Sequence, residues 1–201
     1  MLEEMLNLGP YRCRVIFNDV LGLPLVFLHG YMFTGDVWRN IGVLELLEEK
    51  RIPFIALDMP YGMKSNCSPK TTDPDVNVTV IRDAVHNVFG LAEPVIVGAS
   101  LGGYISLKYI VRYSVKGLLL VAPVRSLEED LTRSYRSLRI PVYIIYGSKD
   151  RIVPLGEMQE LASKMPNAKL VIYEDAEHPA YLDHPDKFMK DLLELYEKAL
   201  H

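Results

Sequence analysis

Cysteine is scarce in this chain, and neither long apolar runs nor clusters of basic residues occur. Among its 201 residues are two cysteines, Cys13 and Cys67, which are far apart in the chain and outside any spacing typical of a metal site. We expect both thiols to be reduced, and a disulfide between them is the less favoured alternative. Because no stretch of about 18 apolar residues is present, we expect no membrane-spanning helix and no membrane partner.

The charge pattern excludes further classes of protein. The 22 basic and 26 acidic residues give a net charge of −4 without a basic tract, so we expect no nucleic-acid partner. Residues 1–8 carry Glu3 and Glu4 and lack the basic and apolar segments of a secretory signal, which predicts a cytoplasmic protein. Neither a dinucleotide-binding G-x-G-x-x-G motif nor a P-loop occurs, and we expect no cofactor and no metal.

The length suits a single domain over residues 1–201 that buries its own core without a disulfide or a metal. Short apolar runs alternate with helical patterns, which predicts an α/β fold with a mostly parallel sheet of about seven strands and helices on both faces. The predicted strands are Arg12–Phe17, Leu25–Leu28, Phe54–Leu57, Val95–Val97, Gly117–Val121, Val142–Tyr146 and Leu170–Tyr173. The predicted helices are Val37–Glu49, Val76–Phe89, Leu101–Tyr113, Leu127–Leu138, Gly156–Lys164 and Asp186–Leu200.

A candidate nucleophile follows the predicted strand Val95–Val97. The run Gly98-Ala99-Ser100-Leu101-Gly102 has the G-x-S-x-G pattern and leads directly into a predicted helix. This arrangement is typical of a nucleophile elbow, in which a serine hydroxyl is exposed on a sharp strand-to-helix turn. A side chain in place of Gly98 or Gly102 would collide with the turn or with the packed helix. The pattern predicts that Ser100 is a catalytic nucleophile.

Two candidate partners for Ser100 follow later strands. Asp150 comes after the strand Val142–Tyr146, and His178 comes after the strand Leu170–Tyr173. The carboxyl ends of parallel strands lie at one edge of a sheet, so these side chains should meet there. His178 would act as the general base, and Asp150 would orient its imidazole and stabilise the charged form.

Other acids and histidines in the sequence are alternatives for the same two roles. Asp150 also suits a turn or a helix N-cap before the next helix, and this is compatible with a catalytic role. Three rival acids do not follow a strand in the expected place: Asp58, Asp175 and Glu177. We interpret His29 as structural and His184 as solvated. The remaining histidines are His86, inside a predicted helix, and His201.

The chain resembles the α/β-hydrolases over nearly its whole length. The matching segments are L-H-G-Y at 28–31, G-A-S-L-G-G at 98–103, Y-G-S-K-D at 146–150 and E-H-P at 177–179. The chain order Ser…Asp…His is also that of this superfamily. More narrowly, the chain is similar to the small, cap-poor serine hydrolases of the CIB type, through H-G-Y-M-F-T-G-D-V-W at 29–38 and H-P-A-Y-L-D-H-P at 178–185. The resemblance implies a three-layer α/β-hydrolase fold with a minimal cap, and activity on short activated esters.

The same segments predict an oxyanion hole and a shallow site. Its donors would be the backbone N–H groups of Leu101 and Tyr31. Residues 124–140 form the whole cap segment, which leaves room for one short helix and predicts an open site for small acyl groups. About half of the candidate pocket residues should touch substrate. These candidates are Tyr31, Met32, Phe33, Tyr61, Met63, Val124, Ile152 and Val153, whereas Trp38 and Tyr104 are expected to pack in the core.

The leading hypothesis is a serine hydrolase that cleaves a small-molecule acyl substrate through an acyl-enzyme. The substrate would be a small carboxylic ester, a thioester or an amide. The same fold also supports C–C hydrolases, lyases, perhydrolases and acyltransferases, which form the second hypothesis. The third is a non-catalytic binding protein on a hydrolase scaffold.

Overall fold

A mixed sheet of nine strands runs through the centre of the molecule. The computed structural model describes all residues, 1–201. The strands are β1 (Leu2–Leu8), β2 (Tyr11–Phe17), β3 (Leu25–Leu28), β4 (Phe54–Leu57), β5 (Cys67–Ser68), β6 (Val95–Ala99), β7 (Gly117–Val121), β8 (Val142–Gly147) and β9 (Ala168–Tyr173). Their order is β1-β2-β4-β3-β6-β7-β8-β9, with β5 paired to β2 beside this path. From β4 to β9 the neighbours are parallel, whereas β1, β2 and β5 pair in antiparallel fashion.

Helices cover both faces of this sheet. They are α1 (Asp36–Asn40), α2 (Val43–Glu49), α3 (Pro74–Arg82), α4 (Leu101–Ile110), α5 (Glu129–Tyr135), α6 (Leu155–Lys164), α7 (Ala180–Asp183) and α8 (Pro185–Ala199). One hydrophobic cluster lies between the sheet and α3, α4, α5 and α6, and a second lies between the sheet and α1, α2, α7 and α8. The predicted three-layer α/β fold is therefore confirmed. No helix has the length and apolar character needed to cross a membrane.

The parallel strands are apolar throughout because both of their faces are covered. Every residue of β3, β4, β6, β7 and β8 is buried. Along β3, Val26 and Leu28 point into the first cluster, and Leu25 and Phe27 point into the second. This alternation leaves no position for a polar side chain, which explains why these strands are recognisable as continuous apolar runs.

Several element boundaries differ from the prediction. The predicted helix over 37–49 is two helices, because Gly42 adopts a φ of 80° between α1 and α2. The predicted helix over 76–89 begins earlier, at Pro74, where the side chain of Asp73 accepts hydrogen bonds from the N–H groups of Asp75 and Val76. It continues into a π-helical segment over Asp83–Val88. The strands β1 and β5 and the four-residue helix α7 were not predicted.

The expectation of two separate reduced cysteines is wrong for this structure. Cys13 on β2 and Cys67 on β5 lie directly opposite each other in antiparallel register and are joined by a disulfide. The loop after β4 returns to the edge of the sheet and places the two residues together, although 54 positions separate them. The cysteines therefore no longer favour a reducing compartment.

The antiparallel edge carries a group of four charged side chains: Glu3, Arg14, Asp36 and Arg39. Arg14 donates from Nη1 to Asp36 Oδ2 at 2.7 Å, and Arg39 Nη2 lies 2.9 Å from Glu3 Oε2. The Arg14 guanidinium lowers the pKa of Asp36 through this hydrogen bond. These contacts join β1, β2 and α1, so this edge is connected to the helical layer by charges as well as by apolar packing.

Candidate active site

Ser100 stands on a sharp turn between β6 and α4. Its φ of 52° lies in the left-handed region, as expected for a strained strand-to-helix turn. A Cβ at Gly98 would come within 2.6 Å of the Gly102 carbonyl oxygen, and a Cβ at Gly102 would come within 2.6 Å of the His29 carbonyl oxygen. The predicted need for glycine on both sides of Ser100 is confirmed, since only glycine allows the turn to pack this closely.

The turn is also held by hydrogen bonds to the neighbouring strand. The Ser100 N–H donates to the Val121 carbonyl oxygen at 2.8 Å, and the Ser100 carbonyl oxygen accepts from the Val124 N–H at 3.3 Å and from the Tyr104 N–H at 3.1 Å. The backbone groups of Ser100 are therefore all engaged, and its hydroxyl is the group left to face the site.

The structure brings Ser100, His178 and Asp150 together. His178 Nδ1 lies 2.7 Å from Asp150 Oδ2, and His178 Nε2 lies 2.8 Å from Ser100 Oγ. An ionised carboxylate can only accept, so Nδ1 carries the proton and Nε2 is left to accept from the serine hydroxyl. The Asp150 side chain is completely buried, whereas 19% of the His178 side chain is exposed.

The second oxygen of Asp150 orders the chain that follows it. Oδ1 accepts from the N–H groups of Ile152 at 2.7 Å and of Val153 at 3.0 Å. Because α6 starts only at Leu155, Asp150 stabilises a turn and is not a helix N-cap. The two oxygens thus have separate tasks: one binds the imidazole and the other fixes the loop that carries the carboxylate.

Two backbone N–H groups without a partner border the serine. The N–H of Tyr31 makes no backbone hydrogen bond, and Leu101 is the first residue of α4, where an N–H has no partner within the helix. The loop that carries Tyr31 is fixed by His29, which accepts from the Met59 N–H at 3.0 Å and contacts the Gly30 carbonyl oxygen at 2.8 Å through Nδ1. Burial lowers the pKa of His29, so the neutral ring is favoured, in agreement with its structural interpretation.

A cavity of about 310 Å³ opens beside Ser100. Its mouth carries exposed side chains, and its floor is formed by residues that are almost completely buried. The lining residues are Gly30, Tyr31, Met32, Phe33, Ala99, Ser100, Val121, Ile152, His178, Pro179 and Tyr181. Tyr31, Met32, Phe33 and Ile152 were among the predicted pocket residues, and they do line this cavity.

Four predicted pocket residues lie outside the cavity. Tyr61 is buried, and its hydroxyl donates to the His29 carbonyl oxygen at 2.6 Å, so it supports the loop from behind. Val124 packs against the first hydrophobic cluster, and Val153 is buried in that cluster. Met63 is exposed but is not part of the lining. Proximity to a strand end in sequence did not reveal which way these side chains point.

Sequence reasoning missed four lining residues: Ala99, Val121, Pro179 and Tyr181. Tyr181 lies on α7, and this short helix turns its ring back towards the cavity. In the segment H-P-A-Y at 178–181, the tyrosine follows the candidate catalytic histidine by three positions, and this spacing is the signal that could have identified it. Trp38 and Tyr104 are buried, as predicted.

The segment 124–140 does not cover the cavity. Its helix α5 packs away from the mouth, with Leu131 and Tyr135 buried in the first cluster. The Tyr104 hydroxyl donates to Glu128 Oε2 at 2.9 Å, which fixes this segment against α4. No residue of this segment lines the cavity, so its mouth stays accessible from solvent.

Two of the rival acids and one of the other histidines have partners away from Ser100. Asp58 accepts from the N–H groups of Gly35 and Asn66, both at 2.7 Å, and Asp175 pairs with Lys149. His184 was expected to be solvated, but it is half-buried and its Nε2 lies 2.7 Å from the Glu174 carbonyl oxygen.

Two family models together match residues 25–185 of the chain. Residues 25–133 match the model described as the alpha/beta hydrolase family, and residues 125–185 match a model of the alpha/beta hydrolase fold. Human ABHD14B, to which its name provisionally assigns protein-lysine deacylase activity, is 28% identical over 177 residues, which cover 86% of this chain and 82% of the human protein. Mouse ABHD14A is 26% identical over 188 residues, which cover 90% of this chain and 75% of the mouse protein.

Solved structures agree with these sequence matches. A hydrolase described as CIB-like, from Thermoplasma acidophilum, superposes with a TM-score of 0.87 at 26% identity and covers 97% of each chain. An esterase from Exiguobacterium antarcticum superposes with a TM-score of 0.79 at 17% identity, over 92% of this chain and 95% of the esterase. This second match shows only that the two folds are alike. The predicted similarity to small CIB-type proteins is confirmed.

Proposed function

Because this chain belongs to the alpha/beta hydrolase family, we propose that it is a serine hydrolase that cleaves small carboxylic esters, or thioesters or amides, through an acyl-enzyme. The observation that carries the proposal is the hydrogen-bonded run from Asp150 through His178 to Ser100, which ends at the wall of a cavity. A nucleophile, a base and a group that orients the base are the three parts that nucleophilic catalysis by serine requires.

In the proposed acylation step, Ser100 Oγ attacks the carbonyl carbon of the substrate. His178 Nε2 takes the hydroxyl proton as the bond between Oγ and carbon forms, and Asp150 stabilises the resulting imidazolium. When the tetrahedral intermediate collapses, the bond to the leaving group breaks and His178 gives its proton to that group. The acyl group is then attached to Ser100 as an ester.

In the deacylation step, a water molecule replaces the leaving group. His178 Nε2 accepts a proton from this water as its oxygen attacks the acyl carbon, and the proton returns to Ser100 Oγ when the ester bond breaks. The N–H groups of Tyr31 and Leu101 would stabilise the oxyanion in both steps. Loss of one such donor typically costs about 10² to 10³ in rate.

The size and surroundings of the cavity favour small acyl groups. A volume of about 310 Å³ lies near the lower limit for small-molecule sites. The lining includes the buried side chains of Val121 and Tyr181, which limit the room for an acyl chain beside Ser100. We therefore propose a preference for short acyl chains.

A second candidate function is the removal of a small acyl group from a lysine side chain. The similarity to ABHD14B supports it, together with the mouth of the cavity, where Tyr31, Met32 and Ile152 are exposed and no cap segment intervenes. A macromolecular leaving group could therefore approach Ser100 without displacing part of the protein. C–C bond hydrolysis, perhydrolysis and acyl transfer would use the same three side chains, but no observation favours them specifically.

The test is fluorophosphonate labelling followed by turnover of nitrophenyl esters of increasing chain length. We expect the wild type to be labelled and Ser100→Ala to be unlabelled, with turnover lower by about 10⁴ to 10⁶. Ser163→Ala is a matched control, because its hydroxyl contacts the Glu160 carbonyl oxygen on α6 and lies outside the cavity. Equal turnover by wild type and Ser100→Ala would overturn the proposal.

The same proteins distinguish the two candidate functions. An acetyl-lysine peptide and a nitrophenyl acetate should be offered at equal concentration, with release of acetate as the common measurement. Ser100-dependent release from the ester alone would support the first candidate, and comparable release from the peptide would support the second. A rate that rises steadily with chain length would contradict the proposed preference for short acyl groups.

A further inference from the structure

The hydroxyl of Tyr181 has no hydrogen-bond partner although the residue is 1% exposed. Tyr181 lines the cavity beside Ser100, and its hydroxyl is not among the enclosed polar atoms that lack a partner. The small surface that remains accessible therefore opens into the cavity. Buried tyrosines normally satisfy their hydroxyl groups, and others in this protein do so: Tyr61, Tyr135, Tyr146 and Tyr173 each donate to a protein oxygen.

The ring of Tyr181 is fixed by aromatic neighbours. Its centroid lies 4.9 Å from that of Trp38, 5.8 Å from that of Phe188 and 6.5 Å from that of Phe33. Trp38 and Phe188 are also buried, and they come from α1 and α8. Packing from two other helices holds the phenol in one place, so its hydroxyl is a preorganised group and not a mobile one.

The hydroxyl is also uncharged, and its surroundings suit an uncharged ligand. Burial raises the pKa of Tyr181 well above the usual value for tyrosine, so the group is a neutral donor at physiological pH. No lysine, arginine, aspartate or glutamate lines the cavity. Apart from His178, a carboxylate or ammonium group at this depth would find no lining side chain of opposite charge, and its desolvation would be costly.

The acyl part of a substrate is the part that would reach this hydroxyl. The leaving group must depart through the mouth, where Met32 and Ile152 are exposed. The acyl group stays attached to Ser100 and occupies the rest of the cavity, whose buried wall includes Val121 and Tyr181. A plain alkyl chain would leave the phenol without an acceptor and would exclude the water that could replace one.

We infer that Tyr181 is a specificity-determining residue that donates a hydrogen bond to an uncharged oxygen on the acyl chain, such as a keto or hydroxyl oxygen. The inference rests on the proposed function and narrows its substrate class to short oxygenated acyl groups. A site that offers a fixed polar group discriminates against an analogue that lacks the matching group, because the buried group is then left unpaired.

Pairs of nitrophenyl esters that are matched in chain length test this inference. The pairs are 4-oxopentanoate with pentanoate and methoxyacetate with butanoate, and each kcat/KM is divided by the rate of hydroxide-catalysed hydrolysis to remove intrinsic reactivity. We expect the wild type to favour the ester with the oxygenated acyl chain in at least one pair. Tyr181→Phe should reduce that preference by about 2- to 10-fold, the range for a neutral hydrogen bond.

Tyr173→Phe is the matched control. It also removes one buried hydroxyl, but this hydroxyl donates to Asp191 at 2.7 Å and lies outside the cavity, so the preference should not change. The inference is overturned if the wild type shows no preference in either pair, a result that needs no variant. It is also overturned if folded Tyr181→Phe keeps the full preference. Absence of any Ser100-dependent hydrolysis would instead overturn the proposed function.

Discussion

The parallel strands and the antiparallel edge of this sheet are stabilised by different kinds of contact. Every side chain of β3, β4, β6, β7 and β8 is buried, whereas most of β1 is exposed. The edge is fixed by the charged group of Glu3, Arg14, Asp36 and Arg39 and by a disulfide. Ser100 and Asp150 follow β6 and β8, which are buried on both faces, whereas His178 follows β9, a strand at the other edge of the sheet in which Tyr173 alone is buried.

This difference indicates that the two regions contribute differently to the position of the site. Close-packed parallel strands hold their ends rigidly, and a catalytic arrangement needs positions accurate to a fraction of an ångström. The charged side chains at the edge protect an exposed strand from pairing with another molecule, and they contribute less to the position of the site. Substitutions in the two regions should therefore differ in both kind and size of effect.

After Ser100→Ala, the largest effect on activity is expected from Asp150→Asn. An asparagine oxygen can still accept from the Ile152 and Val153 N–H groups, so the loop should keep its structure. The imidazole of His178 loses its anionic partner, and kcat should fall by about 10⁴. Ester turnover and thermal unfolding of the same variant test this. A loss of activity that arises because the variant is unfolded at the assay temperature would contradict it.

Core substitutions test the comparison directly through stability. Ile144→Ala on β8 removes a completely buried side chain and should lower the free energy of unfolding by about 2 to 5 kcal/mol. Met5→Ala on β1 changes a side chain that is 44% exposed and should cost less than about 0.5 kcal/mol. Urea denaturation of both variants provides the comparison, and equal losses would remove the distinction between the two regions.

The charged edge predicts a pH effect of smaller size. Arg14 lowers the pKa of Asp36 in the folded protein from 3.8, so the unfolded chain binds more protons between the two values. The stabilisation is thus complete above about pH 4 and is lost as the pH falls through the lowered pKa. Relative to Asp36→Asn, the wild type should be more stable by about 1 kcal/mol or less at pH 7, because the pair is partly exposed. Urea unfolding should show a smaller advantage of the wild type at pH 3 than at pH 7. A larger advantage at pH 3 would contradict this prediction.

The smallest effect is expected from Arg133→Ala on α5. Arg133 pairs with Glu129 one turn away, and both side chains are mostly exposed. Exposed pairs at this spacing contribute about 0.3 to 0.5 kcal/mol. Thermal unfolding at low and at high salt should show a difference of this order that disappears as salt is added.

The parallel part of the fold could be predicted because burial on both faces produces long apolar runs. The juxtaposition of Ser100, Asp150 and His178 could also be predicted, since each follows a strand and strand ends meet at one edge. The edge strand β1 could not, because its exposed side chains, with Glu3 and Glu4 among them, give no apolar run.

The direction in which a side chain points was the second feature that the sequence could not predict. Tyr61 and Tyr181 both lie near the ends of strands, but one supports the loop from behind and the other faces the cavity. The difference arises from α7, which is only four residues long and has too few positions for a helical pattern to be visible. The pairing of Cys13 with Cys67 depends likewise on the path of the intervening loop.

The backbone hydrogen bonds of Ser100 also have a consequence for motion. Its N–H donates to Val121, the last residue of β7, and its carbonyl oxygen accepts from Val124 and Tyr104, so the serine is tied to the central sheet and to α4. His178, in contrast, is carried by the segment between β9 and α7. Opening fluctuations of the site should therefore displace His178 while Ser100 stays in place. The Ser100 amide should exchange its hydrogen as slowly as the strands of the core.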